Sequence, residues 1–208
     1  MIKAVIFDLD GVIVSTDDLH YEAWKTLADK EGIFFSKEIN NLLRGVSRKE
    51  SLEIILKNAS KEYTEYEKNE FLVFKNEIYK QLLIQIDETC ILPNVMNVLT
   101  ELKKRKIKIA IGSSSKNAKT ILKQIGLIDY FDVISDGTNI TKSKPDPEVF
   151  VYACNQLGLK NEECCVVEDA ISGLIAAKSC GMMTFATGDA LHSELKDYKF
   201  SELLDVIV

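Results

Sequence analysis

Four short segments of this chain carry residues that can do chemistry, and they lie far apart in the sequence. The first is "FDLDGV", which sets Asp8 and Asp10 in an otherwise apolar run. The second is "GSSSKN", with Ser113, Ser114 and Ser115 ahead of Lys116 and Asn117. The third is "KSKPDP", around Lys144, and the fourth is "VVEDAISG", with Glu168 and Asp169. A buried carboxylate without a partner costs on the order of several kcal/mol. Carboxylates gathered at one place repel each other unless a cation sits among them. A site of hard carboxylate and carbonyl oxygens suits Mg2+. Lys144 supplies positive charge for a phosphoryl oxygen, and the Ser113 hydroxyl with the amides of the following turn supplies anion donors. A nucleophile, an acid/base, a metal and an oxyanion clamp are the parts needed for phosphoryl transfer. Each segment alone reads equally well as a turn or a helix cap. Their joint occurrence, each following a strand, favours the chemical reading.

The elements that must position these segments follow from periodicity. "IKAVIFDL" (2–9) reads as a strand buried on both faces, and Gly11 lets the backbone turn after it. Asp8 and Asp10 share a face of an ideal strand, but the strand is ending, so one can face a metal and the other a substrate hydroxyl. Further strands are expected over 107–112, "FDVIS", "CCVVED" and "MMTFAT", alternating with helices over 93–105, opened by Pro93, over about 117–125, and over "PDPEVFVYACNQLG" and "AISGLIAAKSCG". This alternation predicts an α/β fold with a doubly wound, mostly parallel, Rossmann-like sheet. Ligands of such sheets bind beyond the carboxyl ends of the strands, where all four segments fall.

Between the first strand and the rest, the patterns are helical: 17–30, "SKEINNLL", "SRKESLEIILKNA" and 62–85. Ser47 and Glu50 form a capping box, and Phe71, Phe74, Ile78 and Leu82 make one apolar stripe. Two domains are therefore expected: an α/β core of residues 1–15 and 88–208, and an inserted helical cap of residues 16–87. The two crossings form a hinge. The end, "FSELLDVIV", leaves a last helix and a last strand both open.

Bulk properties narrow the partners. The chain has 208 residues, 46% hydrophobic and 28% charged, an ordinary globular balance. A net charge of −6 opposes a nucleic-acid footprint, which needs a basic face. The five cysteines are odd in number and lack a C-x-x-C pair, so buried reduced thiols and a cytoplasmic location are expected. Met1-Ile2-Lys3 runs directly into a strand without a signal peptide, and no apolar run approaches the ~18 residues of a membrane span. A monomer acting on a small molecule is the default.

"FDLDGV", "GSSS", "SKPDP" and "VVEDAISG" resemble the four motifs of the haloacid dehalogenase-like hydrolase superfamily, and the likeness runs over essentially the whole chain. It implies aspartyl-phosphate chemistry with Mg2+. "STDDLHYEAWKTLA" and "LLRGVSRKESLEIIL" are similar to the first cap helix and the specificity loop of the β-phosphoglucomutase family. Position 44 is Arg, where related sequences also carry Lys.

That likeness implies interconversion of β-D-glucose 1-phosphate and glucose 6-phosphate through β-glucose 1,6-bisphosphate. It implies Asp8 as nucleophile, Asp10 as acid/base and carbonyl donor to Mg2+, Ser113 and Lys144 on the transferring phosphoryl, and Glu168 and Asp169 as further metal ligands. It assigns sugar and distal phosphate to Gly45, Val46, Arg48, Ser51, Ser114, Ser115, Lys116 and Asn117. Thr16, His20 and Lys75 would couple cap closure to Asp10. A distal phosphate needs a basic partner, and the Arg48 fork, in the first turn of a helix, suits it. A solvated face formed by Arg44 and Arg48 is the plainer alternative.

Two rivals stay open: a sugar-phosphate phosphatase on the same scaffold, and a non-catalytic sugar-phosphate-binding protein.

Overall fold

The computed structural model describes residues 1–44 and 46–207. Contacts group the chain into two compact units, one of Met1–Ser15 together with the chain from Asp87 onward, the other of Thr16–Ile86. Along the chain run β1 (Ala4–Phe7), α1 (Asp17–Glu31), α2 (Lys37–Asn41), α3 (Arg48–Leu56) and α4 (Glu65–Leu83). There follow α5 (Val95–Lys104), β2 (Lys108–Gly112), α6 (Ala118–Gln124), β3 (Val133–Ser135) and α7 (Glu148–Leu157). β4 (Cys164–Glu168), α8 (Ile171–Ser179), β5 (Met183–Ala186), β6 (Tyr198–Lys199) and α9 (Leu203–Val206) complete the order.

The sheet of the first unit has the order β3-β2-β1-β4-β5-β6, and every neighbouring pair is parallel. β1 lies at its centre with all four residues buried, as a strand covered on both faces must be. The order reverses direction beside β1, so the ends of β1, β2 and β4 open onto the crevice where such sheets hold ligands. Ala4, Ile6, Val149, Phe150, Ala153, Cys164 and Val166 fill one side of the core. Each fully buried Ile, Val or Phe adds roughly 1.5–3 kcal/mol.

The strands are shorter than the apolar runs suggest. β1 ends at Phe7, Asp8 N–H still donates to the Val167 carbonyl at 2.9 Å, and beyond it Gly11, at φ +80, turns the chain and donates its N–H to the Val14 carbonyl at 2.8 Å. The helix expected to open at Pro145 begins instead at Glu148. The Glu148 carboxylate accepts from the backbone N–H of Thr141 (3.0 Å) and Lys142 (2.6 Å), which ties down the loop carrying Lys144. β6 carries no apolar alternation and was not legible. The tail forms a 3-10 turn over Phe200–Glu202 and then α9.

In the helical unit, α3 and α4 both start with capping boxes, Ser47 with Glu50 and Thr64 with Glu67. Each cap contributes about 1 kcal/mol. The core of this unit gathers Trp24, Leu27, Ile33, Phe35, Leu52, Ile55 and Phe71. The buried row of α4 is Phe71, Lys75, Tyr79 and Leu83, one residue round from the expected stripe. Phe74, Ile78 and Leu82 are only half-buried. No helix among the described residues is long and apolar enough to cross a membrane.

Candidate active site

The ends of β1 and β4 and the loop before α7 bring Asp8, Glu168, Asp169 and Lys144 together. Ligand oxygens of Asp8, Glu168 and Asp169 all lie within 4.8 Å of one another. Lys144 Nζ donates to Asp8 Oδ1 at 2.5 Å and also to Glu168 Oε1. Asp8, Glu168 and Lys144 are buried, at 8%, 1% and 4% exposure, so bulk water does little to screen them. The second Glu168 oxygen accepts from the backbone N–H of Asp169 (3.1 Å) and Ala170 (3.2 Å), where the chain enters α8.

These contacts set the electrostatics. Burial pulls the Lys144 ammonium down, but Asp8 and Glu168 outweigh it, and its pKa rises above the usual lysine value. Burial pushes Glu168 up to about 7 against the pull of Lys144, and the Asp8 charge adds to the push. Burial raises Asp169 to about 8, with Asp8 and Glu168 reinforcing it. One lysine therefore does not neutralise this cluster at physiological pH. A hard divalent cation fits the donor set, because three carboxylate oxygens within 4.8 Å match what Mg2+ takes.

A pH prediction follows. The unfolded chain releases the Glu168 and Asp169 protons near 4.5 and 3.8, whereas the folded, metal-free chain holds them to about 7 and 8. Their contribution to stability is thus fully present below about pH 4 and is lost as pH rises through about 7 to 8. Mg2+ binds the ionised form and is expected to offset that loss. Melting curves from pH 4 to 8, with Mg2+ and with chelator, check this. The same pH slope in both conditions would show that the cluster does not bind the ion.

The serine loop lies beside the cluster. Ser113 is buried at the end of β2, and its Oγ accepts from Ser115 N–H at 3.1 Å. Ser114 Oγ accepts from Lys144 N–H at 3.4 Å, joining this loop to the lysine loop. Ser115 Oγ accepts from Asn117 N–H at 3.2 Å, Asn117 is buried, and Lys116 is exposed. Asp10 makes a β-bridge with Val14 beyond the strand end. The group of mutually close ligand oxygens does not include the Asp10 carboxylate. Its expected part in metal binding uses the backbone carbonyl.

The helical unit holds a second group. Lys75 Nζ is 2.8 Å from His20 Nδ1 and lies over the rings of Trp24 (4.8 Å) and Tyr79 (4.6 Å). Burial lowers the His20 pKa well below 6.5, and the charges of Lys75 and Arg48 lower it further, so His20 is neutral. Tyr79 is absent from the expected site, although its position four residues after Lys75 on one helix gave the signal. Thr16 and Ser51 are buried and Val46 is half-buried, while Gly45 lies outside the described residues.

Arg44 is exposed and pairs with Asp17 at 2.9 Å, whereas Arg48 is half-buried. Arg48 opens α3 without an ion pair among the described residues, and burial lowers its pKa.

Comparisons with known proteins agree with this geometry. The model of the haloacid dehalogenase-like hydrolase family matches residues 2–181. The β-phosphoglucomutase of Bacillus subtilis is 43% identical over 89% of this chain and 83% of its own length. A phosphorylated carbohydrates phosphatase of Thermotoga maritima is 31% identical over 86% of this chain and 82% of its own. The crystal structure of a β-phosphoglucomutase from Clostridium difficile superposes with a TM-score of 0.90 at 36% identity, covering 99% of this chain and 96% of that one. With that match over most of its length, this chain belongs to the haloacid dehalogenase-like hydrolase family.

Proposed function

We propose that this chain is a β-phosphoglucomutase, interconverting β-D-glucose 1-phosphate and glucose 6-phosphate through β-glucose 1,6-bisphosphate. The observation that carries the chemistry is the buried Asp8, held by Lys144 beside Glu168 and Asp169. The preference for a mutase over a phosphatase rests on 43% identity to the Bacillus subtilis mutase against 31% to the Thermotoga maritima phosphatase. Arg48, a basic group without an ion pair among the described residues, also favours a substrate with a second phosphate.

In the proposed reaction, a carboxylate oxygen of Asp8 attacks phosphorus of the bisphosphate. An Asp8–phosphoryl bond forms as the bond from phosphorus to the sugar oxygen breaks. Asp10 gives its proton to that leaving oxygen. In the return half-reaction, Asp10 takes the proton from the hydroxyl of a bound glucose monophosphate, and that oxygen displaces Asp8 from phosphorus. Lys144 and the Ser113 hydroxyl hold the transferring phosphoryl oxygens. Asp8, Glu168, Asp169 and the Asp10 carbonyl would hold Mg2+, which supplies positive charge against the phosphoryl oxygens when bound. Ser114, Ser115, Lys116 and Asn117, with Gly45, Val46, Arg48 and Ser51, bind the sugar and the phosphate that is not reacting. Thr16, His20 and Lys75 take part in setting the position of Asp10.

Supplying β-glucose 1-phosphate, Mg2+ and a trace of the bisphosphate tests this reading. Glucose 6-phosphate with little free phosphate is expected. Mostly free phosphate makes the protein a phosphatase, and neither product makes it a binding protein. Asp10→Asn is expected to lower turnover about 10²- to 10⁴-fold, the usual contribution of a positioned acid/base, with an unchanged melting curve. Retained turnover in that variant would remove Asp10 from the mechanism.

A further inference from the structure

The Glu168 carboxylate rests against the first turn of α8. One oxygen accepts from Lys144 Nζ, and the other accepts from the N–H groups of Asp169 and Ala170 at 3.1 and 3.2 Å. The side chain is 1% exposed, so it has no solvent-filled space to move into. The room it occupies exists because residue 173 has no side chain. A Cβ at Gly173 would lie 2.0 Å from both Cδ and Oε1 of Glu168, and 2.5 Å from Oε2. The direction follows from helix geometry, since Cα–Cβ bonds tilt toward the N-terminus, where this carboxylate is seated. Helix formation does not account for the glycine, because glycine inside a helix costs about 0.5–1 kcal/mol relative to alanine.

We infer that Gly173 is a positioning residue: by lacking a Cβ it sets where the Glu168 carboxylate seats, and through Glu168 the placing of Lys144 and of a divalent cation. The link to sugar-phosphate turnover rests on the proposed function, whereas the link to cation binding does not need it. Gly11 has a similar relation to Asp169, whose Oδ2 would be 2.1 Å from a Cβ there, but its φ of +80 also calls for glycine. Gly173, on ordinary helical backbone, separates close approach from backbone strain.

Gly173→Ala, Glu168→Asp and the double variant test this by Mg2+ titration calorimetry without substrate, together with kcat and KM. Gly173→Ala is expected to weaken Mg2+ binding about 10- to 100-fold, as loss of a group that orients a ligand does. The fall in kcat should be similar, with KM for the sugar phosphate little changed. Aspartate is one methylene shorter and leaves room for the methyl. In the Glu168→Asp background the same substitution should therefore change Mg2+ affinity by less than about threefold.

Wild-type Mg2+ affinity in Gly173→Ala, or an equal loss in both backgrounds, overturns the inference. If Gly173→Ala does not fold and the double variant does, the conflict with Glu168 is still identified. If neither folds while Glu168→Asp does, the methyl acts elsewhere and the inference is wrong. Should the wild-type protein make no glucose 6-phosphate, the functional reading fails while calorimetry still decides the role of Gly173.

Discussion

Lys144→Met is expected to lose stability and activity together. Methionine keeps most of the length and removes the charge. The ammonium it replaces is 4% exposed and is bonded to Asp8 and Glu168, with Asp169 in the same cluster. Removing one partner from a buried ion pair costs about 3–5 kcal/mol, because the other is left uncompensated. That is a large share of the 5–15 kcal/mol that holds a typical domain together.

The loss should be greatest at pH 8 in chelator, where the carboxyls are pressed to ionise. It should shrink toward pH 4, where the folded chain holds the Glu168 and Asp169 protons. Mg2+ should restore part of the stability without restoring turnover, since the phosphoryl clamp is gone. A drop of about 10³- to 10⁵-fold in kcat is expected, the range for removing a cation from a phosphoryl-transfer site. Denaturant unfolding at the two pH values, with and without Mg2+, checks the first part. Equal destabilisation at both would mean that packing against Phe150, 4.9 Å from Nζ, matters more than charge.

Asp8→Asn is expected to separate the two properties. It removes the proposed nucleophile, so turnover should fall on the order of 10⁵-fold or more. It also removes a charge that raises both Glu168 and Asp169, while its amide oxygen can still accept from Lys144. In chelator at pH 8 the variant should therefore melt at or above the wild-type temperature. With Mg2+ the order should reverse, because the variant lacks one ligand. A lower melting temperature in chelator would show that the Lys144–Asp8 pair stabilises more than the crowded carboxylates cost.

The strands ending at Asp8, Ser113 and Glu168 were legible because uninterrupted apolar runs met abruptly polar ends. That pattern is what a buried parallel sheet with its ligands beyond the strand ends requires. The buried face of α4 lies one residue round from its apolar stripe for a chemical reason. Lys75 is polar and Tyr79 amphipathic, so a hydrophobic count skips the row that is buried. The structure buries Lys75 against rings and His20, which no periodicity encodes. β6, two exposed residues long, has no apolar pattern to find. The place of Gly173 was also hidden, because a missing Cβ matters only once a residue on another element approaches it.

The most direct test of Asp8 as a carrier that passes phosphoryl from sugar to sugar is to trap it. The protein is mixed with β-glucose 1,6-bisphosphate labelled in both phosphoryl groups and Mg2+, quenched in acid, digested and mapped by mass spectrometry. One labelled phosphoryl group on the peptide bearing Asp8 is expected, and its absence in Asp8→Asn. Chasing the labelled enzyme with unlabelled β-glucose 1-phosphate should move the label into sugar bisphosphate. Label on another residue, on none, or released only as free phosphate would contradict a mutase acting through Asp8.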